Sequence, residues 1–590
     1  MGNIAATLQQ TVSEQETSRV RSPLKSGDAG LFRRFPPSVV LPASAAGAVV
    51  GTLVIAFHGP VAAAIGAGVF VAACGTVRVH GTNMWRTVLM RLALQWRKRR
   101  HIAAAPGEEP FDVPIPDGGG SYGMRWDGRF LLTMLQVEPK GVSPTLLSPT
   151  EIRTPDEVPL DEVARCLSQF DIRLAAIDVV ALGVRARGGH EAVRIYERML
   201  GPLPATAVRT VWLALRFDPL DNAEAIGNRG GGSEGTVRTA VVATRRVANR
   251  LARHRVRARV LTAAEMSAAE SAIRYDTAPE QWHEQWHALR CNDFELAGYA
   301  VQPGRLNSDV LAGIWAVPGL STMVRLRVRP ADGGGARNVP DGRVAVTALV
   351  RHDTVGPVDD QVRTTLSGLG LYPLTGVQRR ILLNGEQHEA AVYGVPSALS
   401  QLTVPSGGCG QVIGATADGF GVAVPLFGPE VRHVEIIGGL LLVQQVTVRA
   451  MALGARVIVH STRPEGWAHL VERVGRPEAL SVSHPGGGAQ HTAAATMIVY
   501  DGVPSAGQVS EATVVHVRAP GTAPEAAFGA DIALIESADV RDRVRIRTAV
   551  GDYTVQMVSI PDELRYVSDE YSSAIEFATS ADRPSPVPAG

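Results

Sequence analysis

Two uncharged stretches, residues 39–57 and 61–77, lie three residues apart near the start of a 590-residue chain and constrain it more than anything that follows. Nineteen and seventeen positions without Asp, Glu, Lys or Arg approach the roughly 20 apolar residues that cross a bilayer core of about 30 Å. The pattern predicts two membrane-spanning helices at about 39–57 and 60–79. His58, Gly59 and Pro60 between them leave room only for a tight turn, and Pro60 suits the start of the second helix. Gly47, Gly51 and Gly66 belong to a set of small residues that would let two helices approach closely in lipid.

Charge sets the expected orientation. Arg33 and Arg34 precede the hairpin, and Arg78, Arg86, Arg91 and further basic residues follow it, with no acid between Arg33 and Arg100. Both flanks are therefore expected on the cytoplasmic side of a plasma membrane. Trp85 and Trp96, with apolar residues between them at helical spacing, predict a basic amphipathic helix at 83–100 lying at headgroup level. The alternative, a buried hairpin of a soluble protein, fits poorly with so one-sided a basic flank. Residues 1–32 are polar, lack an apolar signal region and read as a tail.

Beyond a Pro- and Gly-rich linker at 101–120, strand-like and helix-like patterns alternate, which predicts an α/β fold class of mixed cytoplasmic domains. The expected units are a core domain at 121–330, a β-rich region at 331–425, a Rossmann-like domain at 426–565 and a tail at 566–590. Within the first, Asp127-Gly128 marks a hairpin turn. In the last, a strand leads into Gly438-Gly439 and a helix, and short apolar strands follow, as in a nucleotide fold. The G-x-G-x-x-G and G-x-x-x-x-G-K-[ST] patterns are both missing, so this unit is expected to lack a phosphate-binding loop. Asp501 ends a strand as a metal-binding acid would, but has no such loop to work with. A membrane-tethered nucleotide sensor remains an alternative.

Lys+Arg of 58 against Asp+Glu of 57 produces no global field, so no nucleic-acid partner is expected. The arginine run 245–259 reads as the solvated face of a helix and the next strand. Four distant cysteines suggest no disulfide framework. The sharpest catalytic motif is His283-Glu284-Gln285-Trp286-His287. On a helix, His283 and His287 would share a face and could hold zinc, with Glu284 as general base and Glu295 as a third ligand. Asp293 stands where an extended metzincin pattern needs histidine, and Trp282 and Trp286 suit a packing helix equally well. A membrane-anchored zinc peptidase is therefore a rival reading, and no cofactor is expected otherwise.

The paired helices with their basic exit, followed by Tyr122, Gly123, Met124, Arg125, Trp126, Asp127 and Gly128, resemble the EccE family of type VII (ESX) secretion systems. Residues 292–330, with Trp315 and Pro318, and residues 434–467 carry the same likeness. The resemblance implies a non-catalytic translocon subunit in the cell membrane that assembles with EccB-, EccC- and EccD-like partners, EccC being the motor ATPase. The HExxH string is no part of that pattern.

Overall fold

The computed structural model describes residues 25–26, 37–76, 78–79, 82–100, 108–115, 120–187, 191–331, 342–383, 391–483, 495–504, 511–523 and 529–568. Three helices come first: α1 (Pro37–Ala56), α2 (Val61–Thr76) and α3 (Met84–Arg100). α1 and α2 form an antiparallel pair, closed by a bond from the Gly59 N–H to the Val54 carbonyl (2.9 Å).

Strands β1 (Phe111–Pro114), β2 (Ser121–Trp126) and β3 (Leu131–Glu138) then open the first large sheet. β1 falls inside the stretch expected to be linker. The turn between β2 and β3 contains the anticipated Asp127 and Gly128 but extends to Phe130: the Asp127 carboxylate accepts the Phe130 N–H at 2.7 Å, and Gly128 takes φ +87°. The chain next forms β4 (Thr145–Ser148) and β5 (Glu151–Arg153), which belong to a second sheet. It returns with β7 below only after β6 (Glu157–Pro159), which pairs with Thr403–Pro405.

The first sheet is completed by β7 (Ile172–Val184), β8 (Val208–Phe217), β9 (His283–Glu284), β10 (Leu289–Cys291), β11 (Phe294–Val301), β12 (Ser321–Pro330) and β13 (Val344–Val355). Its principal order is β9-β10-β11-β13-β12-β7-β8-β3-β2-β1, antiparallel throughout. Helices α4 (Gly232–Arg253), α5 (Ala263–Ile273) and α6 (Ser308–Ala316) supply its covering layers. α5 begins at a capping box in which Thr262 and Glu265 satisfy each other's backbone N–H groups. α6 begins where Asn307 accepts the Val310 N–H at 2.8 Å. Apolar residues on successive strands alternate between two clusters, one built around Ile177, Leu213 and Leu326, the other around Trp282, Met323 and Leu296.

The second sheet collects β15 (Gln411–Ala415), β16 (Gly421–Val424), β17 (His433–Ile437), β18 (Val457–Ser461), β19 (Leu480–Ser483), β20 (Met497–Asp501), β21 (Thr513–Arg518), β22 (Ile532–Glu536), β23 (Arg543–Thr548) and β24 (Asp552–Met557), where β14 denotes Val392–Gly394 of the first sheet. Its order is β19-β18-β20-β21-β17-β22-β23-β24-β15-β16-β4-β5. The six strands from β19 to β22 are parallel and the rest antiparallel. Helices α7 (Leu440–Ala452) and α8 (Glu465–Val474) follow β17 and β18. Arg449 of α7 is almost wholly buried and pairs with Glu563 (2.6 Å), while donating to the Val412 and Ile413 carbonyls.

One expectation changes here. The parallel strands do not follow the 3-2-1-4-5-6 order of a Rossmann domain, because β20 and β21 insert between β18 and β17, so that label does not describe the unit. The strands of residues 331–425 divide between the two sheets: β13 and β14 pair into the first, β15 and β16 into the second.

Candidate functional site

Three places could carry function: the apolar hairpin, the surface on which α3 docks, and the strand ends of the parallel sheet. In the hairpin, Gly47 and Gly68 face each other so closely that a Cβ on Gly68 would lie 2.8 Å from the Gly47 carbonyl, and a Cβ on Gly47 would strike that of Gly68. A Cβ on Gly51 would lie 3.2 Å from the Ala64 carbonyl oxygen, a tighter than ordinary contact but not a clash. Gly66 has nothing within 4 Å of its Cβ position and faces away from the partner helix, which its spacing had not revealed. The outer surface is apolar and open at Leu41, Leu53, Phe57, Val61, Ile65 and Phe70.

Among the described residues no helix is long and apolar enough to cross a membrane. The 16 residues of α2 rise about 24 Å, short of a hydrocarbon core of about 30 Å. The expected pair of full spans is corrected to a close-packed apolar hairpin. The side chains of Arg33, Arg34, Arg78, Trp85 and Arg86 lie outside the described residues.

The basic helix α3 uses one side to grip the first domain. Arg97 Nη2 donates to Glu284 Oε2 (3.2 Å) and to the Gly376 carbonyl (2.8 Å). The Arg91 guanidinium sits 5.0 Å from the Trp286 ring centroid. The other oxygen of Glu284 accepts the backbone N–H of Arg379 at 3.0 Å. Val88, Leu89, Leu92 and Trp96 remain exposed on α3.

This arrangement accounts for the HExxH string. His283 and Glu284 form β9 and pair in register with Arg290 and Leu289 of β10, so the string is a tight hairpin and the i, i+4 helical geometry needed for two zinc ligands is lost. Alternation sends Glu284 inward to Arg97 and Arg379, and His283 outward. Burial, with Arg363 and Arg91 nearby, lowers the His287 pKa. No group of three His, Cys, Asp or Glu side chains suited to a metal occurs among the described residues.

The residues that carry the family likeness act as clamps. The Gly123 N–H donates to the Leu261 carbonyl at 2.8 Å, and a Cβ there would lie 2.5 Å from the Thr262 backbone, so only glycine allows β2 to approach the start of α5. Arg125 pairs with Glu270 of α5, and Asp127 with Arg216 of β8 (2.9 Å). Tyr122 is buried and Trp126 packs at the edge of the same core. Trp315 fills the space over Gly183 and lies under Arg209, 4.5 Å from its guanidinium, while Pro318 is exposed. Arg209 also donates to the Gly407 carbonyl (3.3 Å), and burial lowers its pKa to about 10. It thereby ties the first sheet to the segment entering the second, a role its sequence context did not announce. The arginine run reads as expected: Arg246 pairs with Asp171, Arg250 with Glu162, and Arg259 with Glu138 and Glu265.

At the parallel strand ends, α7 starts directly after Gly438-Gly439. The Gly439 N–H donates to Glu536 Oε2 (2.6 Å), and a Cβ on Gly438 would meet that oxygen at 2.8 Å. The position where a helix N-terminus would receive phosphate thus holds the chain's own carboxylate. Asp501 is also engaged: it accepts from Ser461 Oγ (2.7 Å), Arg463 Nη2 (2.8 Å) and Trp467 Nε1 (3.1 Å). Burial opposes its ionisation, yet these donors hold its pKa below the ordinary value. The geometry leaves neither a phosphate cradle nor a metal-binding acid.

Comparison with known proteins points to a secretion-system family. The family model described as "Putative type VII ESX secretion system translocon, EccE" matches residues 205–301, from the start of β8 through β11. ESX-1 secretion system protein EccE1 of Mycolicibacterium smegmatis is 26% identical over 427 residues, 71% of this chain and 82% of that protein. Its namesake in Mycobacterium tuberculosis is 27% identical over 399 residues, 67% of this chain and 77% of that protein. ESX-5 secretion system protein EccE5 of Mycobacterium marinum is 30% identical over 262 residues, 42% of this chain and 58% of that protein. With the family model seated on the first sheet and the two EccE1 relatives matched over most of their length, the chain is similar to EccE components of type VII secretion systems.

Proposed function

We propose that the chain is a non-catalytic structural subunit of a type VII secretion complex, held at the plasma membrane by the α1–α2 hairpin, with both termini cytoplasmic and the two-sheet body as docking surface. The single observation that carries the reading is the apolar outer surface of the hairpin, open at Leu41, Leu53, Phe57, Ile65 and Phe70. So much contiguous apolar surface on a water-exposed element is unfavourable, and lipid or a neighbouring subunit removes the cost. The names of the relatives supply the system, and EccB-, EccC- and EccD-like subunits are the partners proposed.

The basic side of α3, docked through Arg97 and Arg91, would set the body at a fixed angle to the bilayer, with Leu92 and Trp96 toward the headgroups. The test is purification from native membranes in mild detergent. Co-purification with other secretion subunits, including a multidomain ATPase, is the expected outcome. A strictly monomeric particle, or recovery in the soluble fraction after cell lysis, overturns the reading.

A further inference from the structure

A cleft of about 580 Å³ lies where the two sheets meet, between β5, α6 and the segment 400–405. Its volume falls in the range of functional binding pockets, about 300–1,000 Å³, and a junction between folded units is where such pockets concentrate. The floor is apolar, formed by Leu311, Trp315, Val324 and Val404. One wall is β5, the last strand of the second sheet, beyond which no strand pairs among the described residues. Two kinds of recognition therefore converge here: an unpaired strand edge and an apolar recess beside it.

The rim decides the sign of the occupant. Arg153 is committed to Glu151 through two bonds of 2.7 and 2.9 Å, so that pair contributes little net charge. Glu157 and Asp309 remain on the rim, and the nearby Lys140, which acts on Glu157, is itself engaged by the Pro155 carbonyl (2.8 Å) and Asp156 (3.9 Å). Glu157 is half-buried, and burial raises its carboxyl pKa. A cationic group placed beside it would offset that penalty by favouring the charged carboxylate.

We propose that this cleft binds an extended segment of a partner polypeptide, which adds as a strand along β5, sets an apolar side chain on the Leu311–Trp315 floor, and brings a Lys or Arg to Glu157 and Asp309. Main-chain pairing supplies the general affinity, and the recess and the acidic rim supply the choice of sequence. The site lies apart from the hairpin, so it stands or falls independently of membrane anchoring.

The test uses the full chain in detergent and two fluorescein-labelled hexapeptides, Lys-Val-Lys-Val-Lys-Val and Glu-Val-Glu-Val-Glu-Val, followed by fluorescence anisotropy. The basic peptide is expected to bind and the acidic one to bind at least about tenfold more weakly. Asp309→Arg, at an exposed position that leaves the core intact, should weaken the basic peptide by about tenfold or more. Asp360→Arg, a reversal of a carboxylate outside the cleft, should leave binding unchanged. The proposal is overturned if the basic peptide fails to bind, if both peptides bind alike, or if the two reversals weaken binding equally.

Discussion

Gly439 donates its backbone N–H to the carboxylate of Glu536 across 2.6 Å, and this one bond gives the parallel sheet an internal anion at the start of α7. The contact is charge-assisted and stands at a helix N-terminus, so its loss should be measurable. Glu536→Ala should lower stability by about 1–2 kcal/mol, read as a lower melting temperature. Because the position is already filled, magnesium and adenosine triphosphate should leave the wild-type melting temperature where it is; a clear upward shift would contradict the geometry.

Arg97 and Glu284 join the basic helix to the β9–β10 hairpin, with Glu284 nearly buried and Arg97 partly so. Arg97→Ala and Glu284→Gln should each release α3. The expected signature is faster amide exchange across Met84–Arg100 and around Gly376, with a coupling of about 1 kcal/mol in a double-mutant cycle. Additive effects would show that the pair does not couple.

Gly47 and Gly66 look alike in sequence but differ in space. Gly47→Leu must push α1 off the Gly68 carbonyl, whereas Gly66→Leu projects into open space. Amide exchange of the hairpin in detergent should rise sharply in the first variant and stay at the wild-type level in the second.

Asp178 is buried between Arg327 and Arg216 on the first sheet. Burial alone would raise its pKa, but Arg327 and then Arg216 outweigh it and hold the carboxyl at about 2. A pKa depressed from an unfolded value near 3.9 means stabilisation that is present above that value and is lost as pH falls toward about 2. Asp178→Asn should therefore be less stable than wild type at neutral pH, and should lose less stability than wild type between about pH 4 and pH 2 in urea titrations.

Much of the architecture was legible because it depends on local pattern. The uncharged runs at 39–57 and 61–77 could only be apolar helices, and Pro60 marks where the second begins. The strands flanking Asp127-Gly128 and the helix ending near Trp315 follow from period and turn chemistry. The likeness at Tyr122–Gly128 and Trp315 pointed to the EccE family, and the relatives agree. The helical alternative for the HExxH string fails because, although its residue types fit a helix, the segment that forms is a two-residue strand fixed by pairing with Leu289 and Arg290.

The amino-acid sequence by itself determined many of the elements and the apolar hairpin with its basic exit, because these depend on periodicity, charge and glycine placement within a few residues. The tertiary structure alone decided the rest. It sent β4 and β5 to the far edge of the second sheet, brought Glu536 to Gly439 across 97 positions, and set Arg97 on Glu284 across 187. Pairings at such separation carry no local signature: they exist only once burial of the two cores has fixed which strand ends and helix faces meet.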